Sequence, residues 1–526
     1  AAGRQVYTVP FIVFSDDVSG NGSRKWNKHI NVYLSNAALP RSERALHSNI
    51  RLFSTSNRAS ALEQCEPLVE EIADSLREPI LIYDIATSSE VLVQIRVEFL
   101  SADNPMAAEL AGMAGLGSNS PCRCCHYGGT WAERCEADGF ASALKAVDEL
   151  VSSTGIKDQF AMKAIANILE AGKGPGSRKS QVKLDARKAA YDAEVAKNAW
   201  CTFDVNQQTP VELLHTGPLG VVKYAWGAIQ GCVKTPETNA NVLRAVMYSM
   251  DTDGLDSGAT LDATYIVKHA GSLVGKELKI VAQIGACGFL QLLQRKIISR
   301  SLLNVWITLG NLIAMLYVPV IKDMDVYCSR LQSAIEAYLH AQSVDNPDTI
   351  LLKTKAHILL HSIPSIRRHG PLANSMSEIY ESFNAIFRHR SVHSNHHSPS
   401  RDIAVASHDA ALIQHLASGG YWRPSGSAPH PPGAGIARFF DRNVMFRGLL
   451  GLEPKNVHQP GTVRFSSSSS YGPLGLDEGV SRQLIADGFS HVTKWKSAES
   501  LRLTDGDIVH RGTFVHLTTK CTDQVS

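Results

Sequence analysis

Apolar residues change their spacing once along this chain, and that change limits the fold to a small sheet interrupted by a helical body. Residues 6–14, VYTVPFIVF, are β-rich and run into Ser15-Asp16-Asp17, before the turn-prone Ser19-Gly20-Asn21-Gly22. Ile30, Val32 and Leu34 alternate, as do Ile50 and Leu52. Leu62, Val69, Ile72 and Leu76 then recur at helical spacing, and apolar β-runs follow at 80–83 and 91–100. The spacing predicts three strands, a helix and a strand, with the run at 80–83 absorbed as an added hairpin. From about Lys145 to Leu360 helical periodicity takes over, at 160–169, 179–199, 211–229, 278–298, 302–317 and 327–339.

Five hundred and twenty-six residues, 44% hydrophobic and 19% charged, suit two to four globular domains. The formal net charge of +2 requires any nucleic-acid surface to be a local patch. There is no secretory h-region and no apolar run of about 18 residues, so no membrane partner is expected. Ten cysteines, four of them within 122–135, suggest a metal or structural cluster in a reducing compartment more than a secreted disulfide framework. The chain opens without Met in strand-like sequence. It is expected to be a fragment, whose preceding region would carry targeting or DNA-binding elements.

Acidic residues fall at informative places. Asp16 ends the first predicted strand and Asp103 follows the last. Three strands, a helix and a strand, with acids at those two points, is the order of a ribonuclease-H-like core. A third acid lies in residues 370–404, GPLANSMSEIYESFNAIFRHRSVHSNHHSPSRDIA, where Met376, Ile379, Phe383, Ile386 and Phe387 mark one face of a helix. Glu378 and Glu381 both avoid that face, and periodicity does not choose between them. Three converging carboxylates can hold two divalent cations about 3.5–4 Å apart, one activating the attacking oxygen of a phosphodiester reaction and the other stabilising the leaving one. Mg²⁺ suits such oxygen ligands. Against this stands the plain alternative of solvated acids, since 50 acidic residues always supply some well-spaced triple.

Cys122 and Cys125 form a Cys-x-x-Cys pair, and His126, Cys135, Cys201 and His215 are candidates to complete a four-ligand Zn²⁺ site. Free buried thiols and a redox pair are the alternatives. Glu212 and His215 open a helix after Thr209-Pro210, where a first-turn acid is favoured by the helix dipole whatever its function. Arg388, Arg390 and Arg401, interleaved with His389, His393, His396 and His397, are candidate phosphate contacts or a solvated loop; Lys25 and Lys28, beside Trp26, are similar candidates near Asp16. After Ile403 a Pro/Gly/Ser-rich linker is expected, and then a small β-rich C-terminal module around GDIVHRGTFVHL at 506–517.

The ordered segments FIVFSDDVSGNGSRKWNKHINVYLSNAALPR, ADNPMAAELAGMAG followed by PCRCCHYGG, TPVELLHTGPLGVVKYAW and ESFNAIFRHRSVHSNHHSPSRDIA together resemble the CACTA (EnSpm) DDE transposases, closest to the Plavaka-like group of mushroom-forming fungi. The resemblance covers most of residues 8–405. It implies a ribonuclease-H-like mixed sheet interrupted by a large helical insertion, Mg²⁺ or Mn²⁺, and cut-and-paste DNA transposition in the nucleus. Double-stranded DNA, as terminal inverted repeats and target, would be the partner, and the protein would act as a homo-oligomer on it. The first acid maps to Asp16, with Asp17 as its neighbouring alternative, the second to Asp103 and the third to Glu381 of Tyr-Glu-Ser-Phe. Glu212 and His215 match the family's acid-x-x-His signature, and Cys122 and Cys125 its Cys-x-x-Cys.

Ala102 stands where Gly is common, Gln208 where Asp is usual, and His393, His396 and His397 replace parts of a more typical pattern. The rival expectation is a catalytically inactive, transposase-derived DNA- or chromatin-binding protein. The implied organisation is a first core segment at 1–110, a Cys-containing segment at 111–205, a helical insertion at 206–370, the Glu381 helix with its basic segment at 371–410, a linker at 411–470 and the C-terminal module at 471–526.

Overall fold

The computed structural model describes residues 3–20, 28–144 apart from 112, 114, 120 and 126, 208–250, 262–423 apart from 395, 427–450 with 452, and three short strands beyond. Strands β1 (Val6–Ser19), β2 (Lys28–Asn36), β3 (Ile50–Ser56), β4 (Ile80–Asp84) and β5 (Ser89–Ala102) form one mixed sheet in the order β3-β2-β1-β5-β4. The expected hairpin is β4, antiparallel to β5 at the sheet edge.

β1 is antiparallel to β2 and parallel to β5. It outruns its expected end. Pairing with β5 stops at Ser15 opposite Ala102, yet Asp16 and Asp17 remain paired with Asn31 and Ile30 of β2. The first acids thus sit where one neighbouring strand has left and the other still fixes the backbone.

The helices that matter for the site are α1 (Ala61–Arg77), α2 (Asn104–Leu110), α3 (Leu213–Thr216), α4 (Lys223–Val233), α5 (Gly275–Gln294), α6 (Arg300–Leu316), α7 (Met324–Asp345), α8 (Thr354–Ile358), α9 (Glu378–Val392) and α10 (Pro399–Ala417). A reciprocal Ser60–Glu63 capping box starts α1. Its Cys65, Leu68 and Ile72 cover one face of the sheet, against Val13, Val32 and Leu100. On the opposite face Ile12, Phe14, Tyr33 and Phe99 pack on Tyr380 and Phe383 of α9. Each of these large side chains contributes about 1.5–3 kcal/mol on burial. Strand alternation places Asp16 on the face of Ile12 and Phe14, toward α9.

The helices α4–α7 share a second core, in which Trp226, Phe289 and Trp306 are buried and Phe289 meets Trp306 edge-on at 4.8 Å. Among the described residues no helix is long and apolar enough to cross a membrane.

Two boundaries differ from expectation. The stretch expected as a basic loop and then a linker contains α10, which packs against β3, and helices Ala434–Arg442 and Val444–Leu449 also lie within 411–470. Pro399 at the first helical position starts α10, but only Ile403, Ser407 and Ala417 are buried, too few for a clear apolar stripe. Strands β7 (Ala498–Arg502) and β8 (Ile508–His510) lie in the expected C-terminal module, and β7 also pairs antiparallel with β6 (Val463–Phe465), which falls within the expected linker. The helices expected at 160–169 and 179–199 and the strand expected at 511–517 lie outside the described residues.

Candidate active site and metal centre

Two side-chain clusters flank the junction between the sheet and the helical body. The first is acidic. Asp16 comes from β1, and Asp103 follows β5 and caps α2, its Oδ1 accepting from the Met106 backbone N–H at 2.7 Å. Glu381 comes from the first turn of α9. Burial and then the charges of Asp103, Glu381 and Asp17 push the Asp16 carboxyl up to about 8. Burial also raises Asp103 and Glu381; the Met106 N–H partly offsets the first, and His215 with Ser377 the second. Asp17 is exposed and paired with Lys28 at 2.5 Å, whereas Asp16 is half-buried and feels the charges of both Asp103 and Glu381. Glu378 faces Lys279 of the helical body at 3.6 Å; burial raises its carboxyl, Lys279 offsets part of that, and the charges of Glu212 and Glu381 add to it.

Glu212 holds this group from below. It is 2% exposed and is the N-cap of α3. Its carboxylate accepts from the backbone N–H groups of Leu214 at 2.9 Å and His215 at 2.6 Å, from His215 Nδ1 at 2.9 Å and from Ser377 N at 3.1 Å. Ser377 Oγ lies 3.1 Å from Glu212 Oε1 and 2.7 Å from Glu381 Oε1. Burial alone would raise the Glu212 carboxyl, but the His215 contact and the backbone N–H groups outweigh it and hold the group below its ordinary range. The reciprocal effect raises His215, against its own burial. His215 Nδ1 is also 3.7 Å from Glu381 Oε1, so the imidazole lies between two carboxylates. With its lone pairs occupied, Glu212 orients its neighbours and has little capacity left for a cation.

The second cluster is made of sulfur and imidazole. Cys122, Cys125, His357 and His361 are all buried, with one potential ligand atom from each within 4.8 Å of the others. Cys122 Sγ is 3.3 Å from His361 Nε2, Cys125 Sγ is 3.1 Å from His357 Nε2, and the two Nε2 atoms are 3.3 Å apart. A tetrahedron with Zn–N of about 2.0–2.1 Å and Zn–S of about 2.3 Å has edges of roughly 3.3–3.8 Å, within a few tenths of an ångström of these separations. The His357 Nδ1 donates to Ala143 O at 3.0 Å, which fixes the tautomer and turns the Nε2 lone pair inward. These residues could hold a metal ion. They complete the expected Cys-x-x-Cys site differently from the expectation: Cys135 is exposed and outside the cluster, and His215 belongs to the acidic group. His126 and Cys201 lie outside the described residues.

The missed ligands were signalled by the His357-x-x-x-His361 spacing, which puts two imidazoles on one helical face. The apolar Ile358-Leu359-Leu360 between them reads as ordinary core.

The candidate basic residues divide. Lys28 and Arg401 are exposed, although Lys28 is paired with Asp17. Arg388 is half-buried. Arg390 turns inward and donates to Ser407 Oγ at 2.7 Å, tying α9 to α10, so its role in this structure is packing. Lys25 and Trp26 lie outside the described residues. A comparison of the sequence with protein-family models and with curated proteins gives no match.

Proposed function

We propose that this chain is a DDE-type DNA transposase, a metal-dependent polynucleotidyl transferase built on a ribonuclease-H-like sheet with a helical insertion. The observation that carries the reading is the convergence of Asp16, Asp103 and Glu381. Two come from matching ends of adjacent parallel strands, and the third is brought back by a helix roughly 280 residues later.

Burial raises all three carboxyls above their ordinary range, with neighbouring carboxylates adding to the effect at Asp16 and Glu381, as expected of a site that would bind a divalent cation. When bound, a pair of Mg²⁺ or Mn²⁺ ions supplies an activated attacking oxygen and a stabilised leaving oxygen. The protein's share is positional: Asp16 and Asp103 are fixed by β1 and by the α2 cap, and Glu381 is aimed by Ser377 and His215, which Glu212 holds in turn. Zn²⁺ is the ion we assign to the Cys/His centre, where it would be structural, since four protein ligands leave no open position. Duplex DNA as partner, a second copy in the DNA complex and a nuclear location belong to the same proposal.

One observation favours a non-catalytic DNA- or chromatin-binding protein instead: Asp103 also has a structural duty as a helix cap, which by itself accounts for an acid at that position. The substitution Asp103→Asn separates the two readings, because Asn caps a helix about as well as Asp but loses the charge. Asp103→Asn and Glu381→Gln should each reduce Mg²⁺-dependent nicking to background on DNA that carries the sequences flanking the coding region, while gel-shift binding persists. Wild-type cleavage by both variants would overturn the catalytic reading.

A further inference from the structure

The two clusters are joined by a short path of buried contacts. Arg123 lies between the metal-site cysteines and is only 3% exposed. Its Nη2 donates to Pro210 O at 2.8 Å, and its Nη1 lies 3.2 Å from Cys124 Sγ. Pro210 is two residues from Glu212, in a stretch where Thr209, Val211 and Glu212 are buried as well. From Glu212 the path continues through Ser377 to Glu381 Oε1.

A guanidinium is costly to bury, and the Cys124 sulfur offsets part of that cost on one side while the Pro210 carbonyl receives the other. The cost becomes intelligible if the loop must be held at one height above the sheet. The backbone that carries Arg123 is in turn fixed once Cys122 and Cys125 bind a common ion with His357 and His361.

We propose that Arg123 is a positioning residue that couples the Cys/His centre to the acidic centre, by holding residues 210–212 so that Glu212 and Ser377 aim Glu381. The proposal rests on the reading of Asp16, Asp103 and Glu381 as a divalent-cation site. It assigns the Cys/His metal a duty beyond local folding: its loading sets the affinity of a second, chemically different ion bound by carboxylates.

The test uses the full chain, wild type against Arg123→Ala and Arg123→Lys. Metal content is measured by mass spectrometry, amide exchange over 208–216 by hydrogen–deuterium mass spectrometry, and Mn²⁺ affinity by electron paramagnetic resonance. Arg123→Ala should keep the wild-type zinc content, exchange about tenfold faster over 210–216, and bind Mn²⁺ at least about tenfold more weakly, the range seen when outer-shell partners of metal ligands are removed. Arg123→Lys, which can still donate one hydrogen bond to Pro210 O, should fall between. Chelating the Cys/His metal from the wild type should loosen the same segment.

Unchanged exchange and unchanged Mn²⁺ affinity in Arg123→Ala overturn the proposal, as does a wild-type chain with no metal at the Cys/His centre. If the Ala variant does not fold, wild-type exchange and affinity in Arg123→Lys overturn it instead. A wild type that binds zinc but no Mn²⁺, while Arg123→Ala still loosens 210–216, removes the acidic-centre reading and leaves Arg123 as the residue that positions the loop.

Discussion

At the scale of single residues, Glu212 concentrates more interactions than any acid proposed to bind a cation. Charge-assisted hydrogen bonds from Leu214, His215 and Ser377 converge on one buried carboxylate. Glu212→Gln keeps the shape, but one of its two acceptor oxygens becomes an NH2 that faces backbone N–H donors, so either the Leu214 and Ser377 bonds or the His215 bonds are lost while the rest become neutral; it should cost about 2–3 kcal/mol, read as a shift in the urea midpoint. The same change in Asp17, which is exposed and paired only with Lys28, should cost under about 1 kcal/mol. Spacing marks Glu212 as a first-turn acid and the family resemblance pairs it with His215, but nothing local announces that Ser377 will meet it from 165 positions away. Asp16 and Asp103 are more legible, since strand alternation and an Asp-Asn-Pro helix start are local signals. His357 and His361 carried a local signal too, hidden by the apolar residues between them.

At the scale of elements, α9 decides whether the third acid arrives. Its apolar face was readable from spacing in part: the structure buries Phe383 and Phe387, half-buries Met376, Ile379 and Ile386, and adds Tyr380, which the spacing left off that face. What spacing could not give is the polar seating. The Tyr33 hydroxyl donates to Asn384 Oδ1 at 2.7 Å, His47 Nε2 meets Ser382 Oγ at 2.7 Å, and His29 lies edge-on to Phe387 at 5.4 Å.

Burial lowers both histidines below the ordinary range of about 6.5. The unfolded chain therefore takes up protons first as pH falls, and the stability these residues allow is full above about pH 7 and declines below about 6.5. Asp16, Asp103 and Glu381 have raised values and act in the opposite sense, stabilising the metal-free fold as pH falls. Comparison with variants isolates the histidine part: wild type should lose stability relative to His29→Asn and His47→Asn between pH 7.5 and 5.5, measured by urea unfolding without divalent ions. Parallel pH profiles would contradict this account of how α9 is seated.

At the scale of the whole molecule, the Cys/His centre is one of the points at which the helical body is fastened to the segment that follows the sheet. Cys122 and Cys125 follow the sheet's last helix, whereas His357 and His361 belong to the body. Purified protein should carry one zinc per chain, and Cys125→Ser or His361→Ala should lose most of it and lower the melting temperature by several degrees, measured by metal analysis and thermal unfolding.

Class and layering were legible because alternation and helical spacing are properties of neighbouring residues; the fastening was not, because it joins residues more than 200 positions apart. The order of these positions along the chain has a temporal consequence. Translation at roughly 5–20 residues per second delivers Asp16 and Asp103 tens of seconds before Glu381. His357 and His361 emerge slightly ahead of Glu381, so the sulfur and imidazole clasp can close before the last acid leaves the ribosome. A nascent or truncated chain that stops short of α9 thus carries two of the three acids, with one face of the sheet still lacking the helix that covers it. On the reading proposed above, no part of the chain made before α9 could hold the complete acidic site.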